Sequence, residues 1–139
     1  MRLDEFPEVM VMSEAFRVLM VEDDPDIRAV AHLSLTAVGG FTVLQCTSGA
    51  EALQQISAFA PHLVLLDVMM PDMDGPTTLL ALRKLPCMIG IPVVFMTAKV
   101  QPQEVQAYRD LGAADVIAKP FDPMTLPSVL HGIWSRCHG

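Results

Sequence analysis

Acidic residues directly follow two of the apolar segments of this sequence. Glu22-Asp23-Asp24 comes after the first segment, and Asp67 comes after the third. If these segments are neighbouring parallel strands, their carboxyl ends lie about 5 Å apart. Carboxylates packed at that distance repel, and each one resists ionisation beside the others. A hard divalent cation with oxygen ligands removes the repulsion, and Mg²⁺ is the usual choice where phosphate is handled.

A hydroxyl and an ammonium group stand at the ends of two later apolar segments. Thr97-Ala98 ends the fourth segment, and Lys119-Pro120 ends the fifth. Taken singly, these polar residues have ordinary explanations: Asp24 as a helix cap, Thr97 as a strand-end threonine and Lys119 as an exposed lysine. Their shared position at the carboxyl ends of strands in one sheet favours a common pocket instead.

The five apolar segments carry β-branched or aromatic residues and predict strands. They alternate little, as expected when both faces of a strand are covered. Strands and helical segments alternate along the chain, which indicates a doubly wound parallel sheet with helices on both faces. In such a sheet a ligand binds beyond the carboxyl ends of the strands. The predicted strands are Val18–Val21, Phe41–Cys46, Leu63–Leu66, Pro92–Met96 and Val116–Ala118.

Local caps predict where the helices begin and end. Asp24-Pro25 supplies an N-cap and a proline at the first helical position, and Gly39-Gly40 ends that helix. Ser48-Gly49-Ala50-Glu51 fits a capping box. Pro127 is expected to delay or kink the last helix, because it lacks a backbone donor. The side chains predicted to face the core are Ile27, Val30, Ala31, Leu35, Val38, Ala52, Leu53, Ile56, Leu79, Leu80, Leu82, Val105, Tyr108, Leu126, Val129, Leu130, Ile133, Trp134 and Cys137.

Composition and charge limit the classes of protein. The chain has 139 residues, which is the length of one domain. Its 9 Lys and Arg against 16 Asp and Glu give a net charge of -7, so direct nucleic-acid binding is not expected. No apolar run is long enough to span a membrane, and three cysteines without metal-ligand spacing indicate the reducing cytoplasm. We expect an N-terminal extension over residues 1–15, which does not resemble a signal peptide, and one domain over residues 16–139.

Four separated motifs carry a resemblance to a known family. They are VLMVEDDP, LVLLDVMMPDMDG, VVFMTA and AKPF, in that order along the chain. With them, the stretch from Arg17 to Trp134 resembles the receiver domain of bacterial response regulators. The resemblance implies a flavodoxin-like sheet with strand order 2-1-3-4-5.

The resemblance also implies a role for each site residue. Asp67 corresponds to the phosphorylated aspartate. The implied Mg²⁺ ligands are Asp67 itself, Asp23 directly, Glu22 through water, and the backbone carbonyl of Met69. The other two implied catalytic residues are Thr97, which would hydrogen-bond the phosphoryl oxygens, and Lys119, which would pair with the phosphoryl group or Asp67 and precede a cis peptide bond.

The function implied by the resemblance is phosphorylation-controlled signalling. A sensor histidine kinase or a histidine phosphotransfer protein would donate the phosphoryl group, and the phosphorylated domain would change its binding to a downstream effector protein. Self-catalysed phosphoryl transfer and slow autodephosphorylation would be its only chemistry, so it would not be an enzyme in the usual sense. Because the sequence contains one domain, we expect a stand-alone receiver that acts through another protein.

Two alternatives remain open from the sequence. Asp72-Met73-Asp74-Gly75-Pro76-Thr77 resembles the nucleophile loop of haloacid-dehalogenase-type phosphatases, although Asp72 does not directly follow the strand. The chain could also be a receiver-like interaction module that never takes phosphate, but such modules usually lose an acidic, Thr or Lys position that this chain keeps. The main departure from the family pattern is Val116, where signalling receivers usually carry an aromatic residue.

Overall fold

A computed structural model describes residues 15–138 of the chain. Its five strands form one parallel sheet in the order β2-β1-β3-β4-β5. The predicted fold class and strand order are therefore confirmed, and every predicted strand end is correct to within one residue. The predicted extension over residues 1–15 falls, except for Ala15, outside the described residues, and the domain division stays a prediction. The strands are β1 (Arg17–Val21), β2 (Thr42–Cys46), β3 (Leu63–Asp67), β4 (Val93–Thr97) and β5 (Asp115–Ala118).

The connections between the strands are helical, and their starts follow the predicted caps. The Asp24 carboxylate accepts hydrogen bonds from the backbone N–H groups of Asp26 and Ile27, and the Ser48 hydroxyl accepts one from Glu51. Within residues 15–138, no helix is both long and apolar enough to cross a membrane. The helices are α1 (Pro25–Leu33), α2 (Gly49–Phe59), α3 (Gly75–Leu82), α4 (Pro102–Asp110) and α5 (Leu126–His138). A π turn (Ser34–Val38) continues α1, and a 3-10 turn (Pro86–Met88) follows α3.

The helices cover both faces of the sheet and divide the core into two layers. One layer packs α2, α3 and α4 against alternate strand residues, with Phe95 and Ile56 among its fully buried side chains. The other layer packs α1 and α5 against the remaining strand residues, with Met20 and Leu35 fully buried. Burial on both sides explains why β3 and β4 are buried along their whole length and show no alternating polarity in the sequence.

The predicted core face of α1 is wrong at two positions. Ala31 and Leu35 are fully buried, but Val30 and Val38 are 46% and 47% exposed. The helix ends in a π turn, in which the Gly39 N–H donates to the Ser34 carbonyl five residues earlier. A π turn holds more residues than an α turn, so Val38 leaves the face expected from the 3.6-residue period. Val30 precedes the π turn and is exposed because it lies beside the stripe formed by Ile27, Ala31 and Ser34.

Helices α3 and α5 also bury fewer apolar side chains than predicted. Leu80 is 52% exposed, since the buried positions of α3 have the spacing i, i+3, i+4 and i+7 and include Thr78 in its place. In α5, Val129 is 44% exposed because it lies beside the stripe, and Cys137 lies exposed in the last turn. The remaining predicted helix positions are buried or partly buried.

The amino-terminal edge of the sheet carries a cluster of rings. The ring of Phe16 stacks on His62 at a centroid distance of 5.1 Å and meets the Trp134 ring edge-on at 5.5 Å. Trp134 in turn stacks on His138 at 4.5 Å. This cluster fixes the start of β1 and the end of α5 to each other, at the edge opposite to the carboxyl ends of the strands.

Neighbouring leucines of α3 provide a direct test of this packing. Leu79→Ala should lower the free energy of unfolding by about 2–5 kcal/mol, because it leaves a cavity in the core. Leu80→Ala should change it by no more than about 0.5 kcal/mol, because the side chain faces solvent. Urea unfolding of both variants measures the difference, and equal losses would contradict the assignment of the buried face.

Candidate functional site

The carboxyl ends of β1 and β3 bring the first two acidic segments together. Val21, at the end of β1, pairs with Leu66 of β3, so that Glu22 and Asp67 follow at the same level on neighbouring strands. Glu22 is 0% exposed and Asp67 is 2% exposed. Oxygen atoms of Glu22, Asp23 and Asp67 all lie within 4.8 Å of one another. The spatial grouping of these three predicted site residues is confirmed.

The carboxyl ends of β4 and β5 add the hydroxyl and the ammonium group. Thr97 ends β4 and is 2% exposed, and it pairs with Ala118 of β5. The next residue, Lys119, donates its backbone N–H to the Thr97 carbonyl at 2.9 Å and precedes a cis peptide bond to Pro120. Because β3 lies between β1 and β4, Asp67 has the carboxylates that follow β1 on one side and the Thr97 hydroxyl at the end of β4 on the other.

The ammonium group of Lys119 joins two buried carboxylates. Its Nζ atom donates a hydrogen bond to Asp67 Oδ1 at 2.7 Å and lies 2.8 Å from Glu22 Oε1. The other Glu22 oxygen accepts a hydrogen bond from the backbone N–H of Asp24 at 3.1 Å. Removing this partly buried cation would leave two buried carboxylates without compensation, which is unfavourable.

The charges of the site do not balance. Burial and the neighbouring Asp67 raise the pKa of Glu22 to about 7, although Lys119 and the Asp24 N–H act in the opposite direction. Burial lowers the pKa of Lys119, but the hydrogen bonds to Asp67 and Glu22 outweigh it, and the net pKa lies above the ordinary value. One ammonium group therefore serves the two buried carboxylates, and the more exposed carboxylate of Asp23 adds further negative charge beside them.

The donor set of this site fits a hard divalent cation. All three side chains offer carboxylate oxygens, which are the ligands that Mg²⁺ prefers, and their mutual distances allow them to reach one ion. A cation would also offset the negative charge that raises the pKa of Glu22. The fourth predicted ligand, the backbone carbonyl of Met69, stays a prediction; Met69 is 70% exposed in the loop after β3.

The remaining acidic residues near the site serve as caps or lie in turns. Asp24 caps α1, as its place before Pro25 predicts, and Asp74 caps α3 by accepting a hydrogen bond from Thr77 N–H at 2.9 Å. Asp72 is exposed in a turn beyond the end of β3. The phosphatase-like sequence motif therefore forms a loop and a helix cap, and the buried strand end is occupied by Asp67.

Two residues to which the sequence analysis assigned no role support the site through its backbone. Gly75 approaches the end of β3 so closely that a Cβ atom added there would lie 2.6 Å from the Asp67 carbonyl oxygen. Arg28 donates from Nη1 to the carbonyls of Glu22 at 3.0 Å and Asp23 at 3.2 Å. Gly75 ends one of the four sequence motifs and Arg28 lies outside them, but both contact backbone atoms, and a single sequence does not reveal such contacts.

Comparison with known proteins agrees with this arrangement. Residues 18–131 match the family described as the response regulator receiver domain. The chain belongs to this family. A receiver domain is a signalling module and not a classical enzyme, which settles the choice against the phosphatase alternative.

Individual relatives of this receiver domain come from several bacteria. It is 32% identical over 126 residues to response regulator Rre1 of Synechocystis sp., covering 90% of this chain and 54% of that protein. It is 36% identical over 110 residues to the DNA-binding response regulator MtrA of Mycolicibacterium smegmatis, covering 79% of this chain and 46% of that protein. The chain thus spans about half the length of these two relatives. Among solved structures, the chemotaxis protein CheY4 of Vibrio cholerae superposes with a TM-score of 0.81 and 28% identity, covering 86% of this chain and 99% of that chain.

A methyl group at Gly75 should disturb the strand that carries Asp67. Gly75→Ala should lower the free energy of unfolding by roughly 1–3 kcal/mol, because the added Cβ overlaps fixed backbone. Gly132→Ala is the matched control, since nothing lies within 4 Å of its added Cβ in α5, and it should raise stability by roughly 0.5–1 kcal/mol. Thermal unfolding of both variants measures whether each substitution lowers or raises stability. A neutral Gly75→Ala change would mean that the close approach is not enforced.

Proposed function

We propose that this receiver domain accepts a phosphoryl group on Asp67 and switches the binding of a partner protein. The observation that carries the proposal is the buried carboxylate of Asp67, held 2.7 Å from Lys119 Nζ and grouped with Glu22 and Asp23. A carboxylate fixed at the edge of a pocket, beside groups that can neutralise phosphoryl oxygens, is arranged for in-line attack on phosphorus.

The transfer requires no proton from the nucleophile. The ionised Asp67 oxygen forms a bond to phosphorus while the bond from phosphorus to the donor nitrogen or oxygen breaks, and the leaving group keeps the electron pair. With phosphohistidine as the donor, the imidazole nitrogen then takes its proton from water. Lys119 compensates the negative charge on the phosphoryl oxygens, because its ammonium group already lies beside Asp67.

The proposed metal site uses the acidic cluster. Asp23 and Asp67 would be direct ligands, Glu22 would act through water, and the Met69 carbonyl would complete the protein ligands. Bound Mg²⁺ supplies charge neutralisation at the transferring phosphoryl group. The chain contributes a preassembled set of oxygens at one sheet edge, which is supported by the grouping of the three carboxylates.

Thr97 connects the site to the segment that follows β4. Its hydroxyl oxygen accepts a hydrogen bond from the Lys99 N–H at 3.0 Å, which leaves the hydroxyl proton for a phosphoryl oxygen. A new bond there would pull on the loop that leads to α4. Val116 has few rotamers and cannot swing as an aromatic ring does, so we infer that the response is concentrated in this loop and in α4.

The partners we propose follow from the family. A sensor histidine kinase or a histidine phosphotransfer protein donates the phosphoryl group, and a downstream effector protein responds to it. We infer that the domain acts in the cytoplasm, where the free cysteines Cys46, Cys87 and Cys137 stay reduced. Direct nucleic-acid contact by this domain is not proposed, because its net charge of -7 opposes a phosphate backbone.

Incubation with acetyl phosphate and Mg²⁺ tests the phosphoacceptor. The protein should gain the mass of one phosphoryl group, and Asp67→Asn should gain none. Asp72→Asn is the matched control, since Asp72 is exposed outside the pocket, and it should label normally. Intact-mass spectrometry reads the outcome. Absence of labelling in the unchanged protein would instead favour the phosphorylation-independent interaction module.

Two adjacent aspartates distinguish the metal ligand from the helix cap. Asp23→Ala should weaken Mg²⁺ binding by roughly tenfold or more, because it removes a ligand. Asp24→Ala should leave Mg²⁺ affinity nearly unchanged and cost about 1 kcal/mol of stability, because it removes the cap of α1. Isothermal titration calorimetry and urea unfolding measure the two effects. Equal losses of Mg²⁺ affinity in both variants would show that the two roles are assigned wrongly.

A further inference from the structure

We infer that Arg28 is a positioning residue for the metal-binding end of this receiver domain. The inference rests on the proposed Mg²⁺ site and adds a residue outside its ligand set. Arg28 contacts no carboxylate within the described residues. Its Nη1 atom donates to two consecutive carbonyl oxygens, those of Glu22 at 3.0 Å and Asp23 at 3.2 Å.

The helix geometry explains how Arg28 reaches these carbonyls. Arg28 lies four residues after the N-cap Asp24, and its backbone N–H donates to the Asp24 carbonyl at 3.0 Å. Side chains of an α-helix lean toward its amino terminus, so this side chain extends back over the first turn to the residues that precede the cap. A cation at a helix amino terminus is unfavourable by itself. The two hydrogen bonds are what offsets that cost.

The two carbonyls need a donor at this place. Glu22 is 0% exposed, and β1 ends before it, so its carbonyl has left the regular hydrogen-bond ladder. A buried carbonyl without a donor is unfavourable. The Glu22 N–H is already used, since it donates to the Cys46 carbonyl at 3.0 Å. Arg28 thus completes the hydrogen bonding of this segment.

The fixed peptide groups in turn orient the side chain of Asp23. In residues 15–138, the Asp23 carboxylate accepts no hydrogen bond from the protein, although it belongs to the acidic cluster. Its direction therefore depends on its own backbone, whose carbonyl is held by Arg28 together with that of the preceding residue. Arg28 is itself held from β2, because Gln45 Nε2 donates to the Arg28 carbonyl at 3.0 Å.

Removing the charge of Arg28 and removing its positioning effect should change the Mg²⁺ affinity in opposite directions. Loss of a positive charge near the cluster would by itself strengthen the binding of a cation. Loss of positioning would weaken it, as replacing the groups that orient metal ligands typically lowers affinity by about 10–100-fold. The sign of the change in Mg²⁺ affinity therefore separates the two effects, and a merely structural role would change only stability.

The experiment compares Arg28→Met with Arg136→Met in the full chain. Met keeps the length of the apolar stem but removes both the charge and the donors. Arg136 is the control because its side chain is 66% exposed and pairs with Asp115. Calorimetric titration with Mg²⁺ alone should show at least about fivefold weaker binding for Arg28→Met and unchanged binding for Arg136→Met. Thermal unfolding of each variant confirms that folded protein was titrated.

Each result has a definite meaning. Weaker Mg²⁺ binding in folded Arg28→Met supports the inference, and partial recovery in Arg28→Lys, which restores a charged donor, supports it further. Unchanged or tighter binding in Arg28→Met overturns it, while the proposed function stands as long as the unchanged protein binds Mg²⁺. If the unchanged protein shows no Mg²⁺ binding, the proposed metal site itself fails.

Discussion

The contact of one ammonium group with two buried carboxylates organises this molecule. Lys119 lies 2.7 Å from Asp67 and 2.8 Å from Glu22, and each of the three residues is at or just beyond the end of a different strand. Without the cation, the carboxylates of Glu22 and Asp67 would repel each other while shielded from most of the solvent. The three side chains meet only if β1, β3 and β5 end beside one another. The residue pairing between the strands therefore determines which groups form the site.

The two-layered core supplies the rigidity that this constraint needs. Strands β3 and β4 are buried along their whole length, so they cannot slide without disturbing both helical layers. Asp67 and Thr97 are therefore carried by the most buried part of the fold. In the proposed function, the segment that responds to a phosphoryl group lies instead beyond these strands, in the loop with Lys99 and in α4, which has no fully buried residue. The proposed switch thus combines an acceptor held in the core with a response in a less buried segment.

The sequence predicted the parts of the site that depend on strand ends. Asp67 and Lys119 stand out because a polar residue directly follows an apolar segment, and parallel strands place such residues at one edge. The exposure of Val38 was not predictable, because it follows from a π turn that the periodic pattern does not contain. Thr78 is buried where the sequence predicted Leu80 to be, because the position of a residue on α3, and not its polarity, determines whether it faces the core. Arg28 and Gly75 received no role from the sequence, although Gly75 ends one of the motifs, because their contacts are with backbone atoms that a sequence does not reveal.

The ring cluster at the opposite edge of the sheet decides what optical spectroscopy can detect. Trp134 is the single tryptophan of the chain, and it packs against Phe16 and three histidines there. The five residues of β1 separate this edge from the acidic cluster by about 16 Å. Intrinsic fluorescence will therefore follow the docking of α5, and it will be a poor indicator of metal binding. An emission signal for the phosphorylated state requires a fluorophore introduced near the carboxyl ends of the strands.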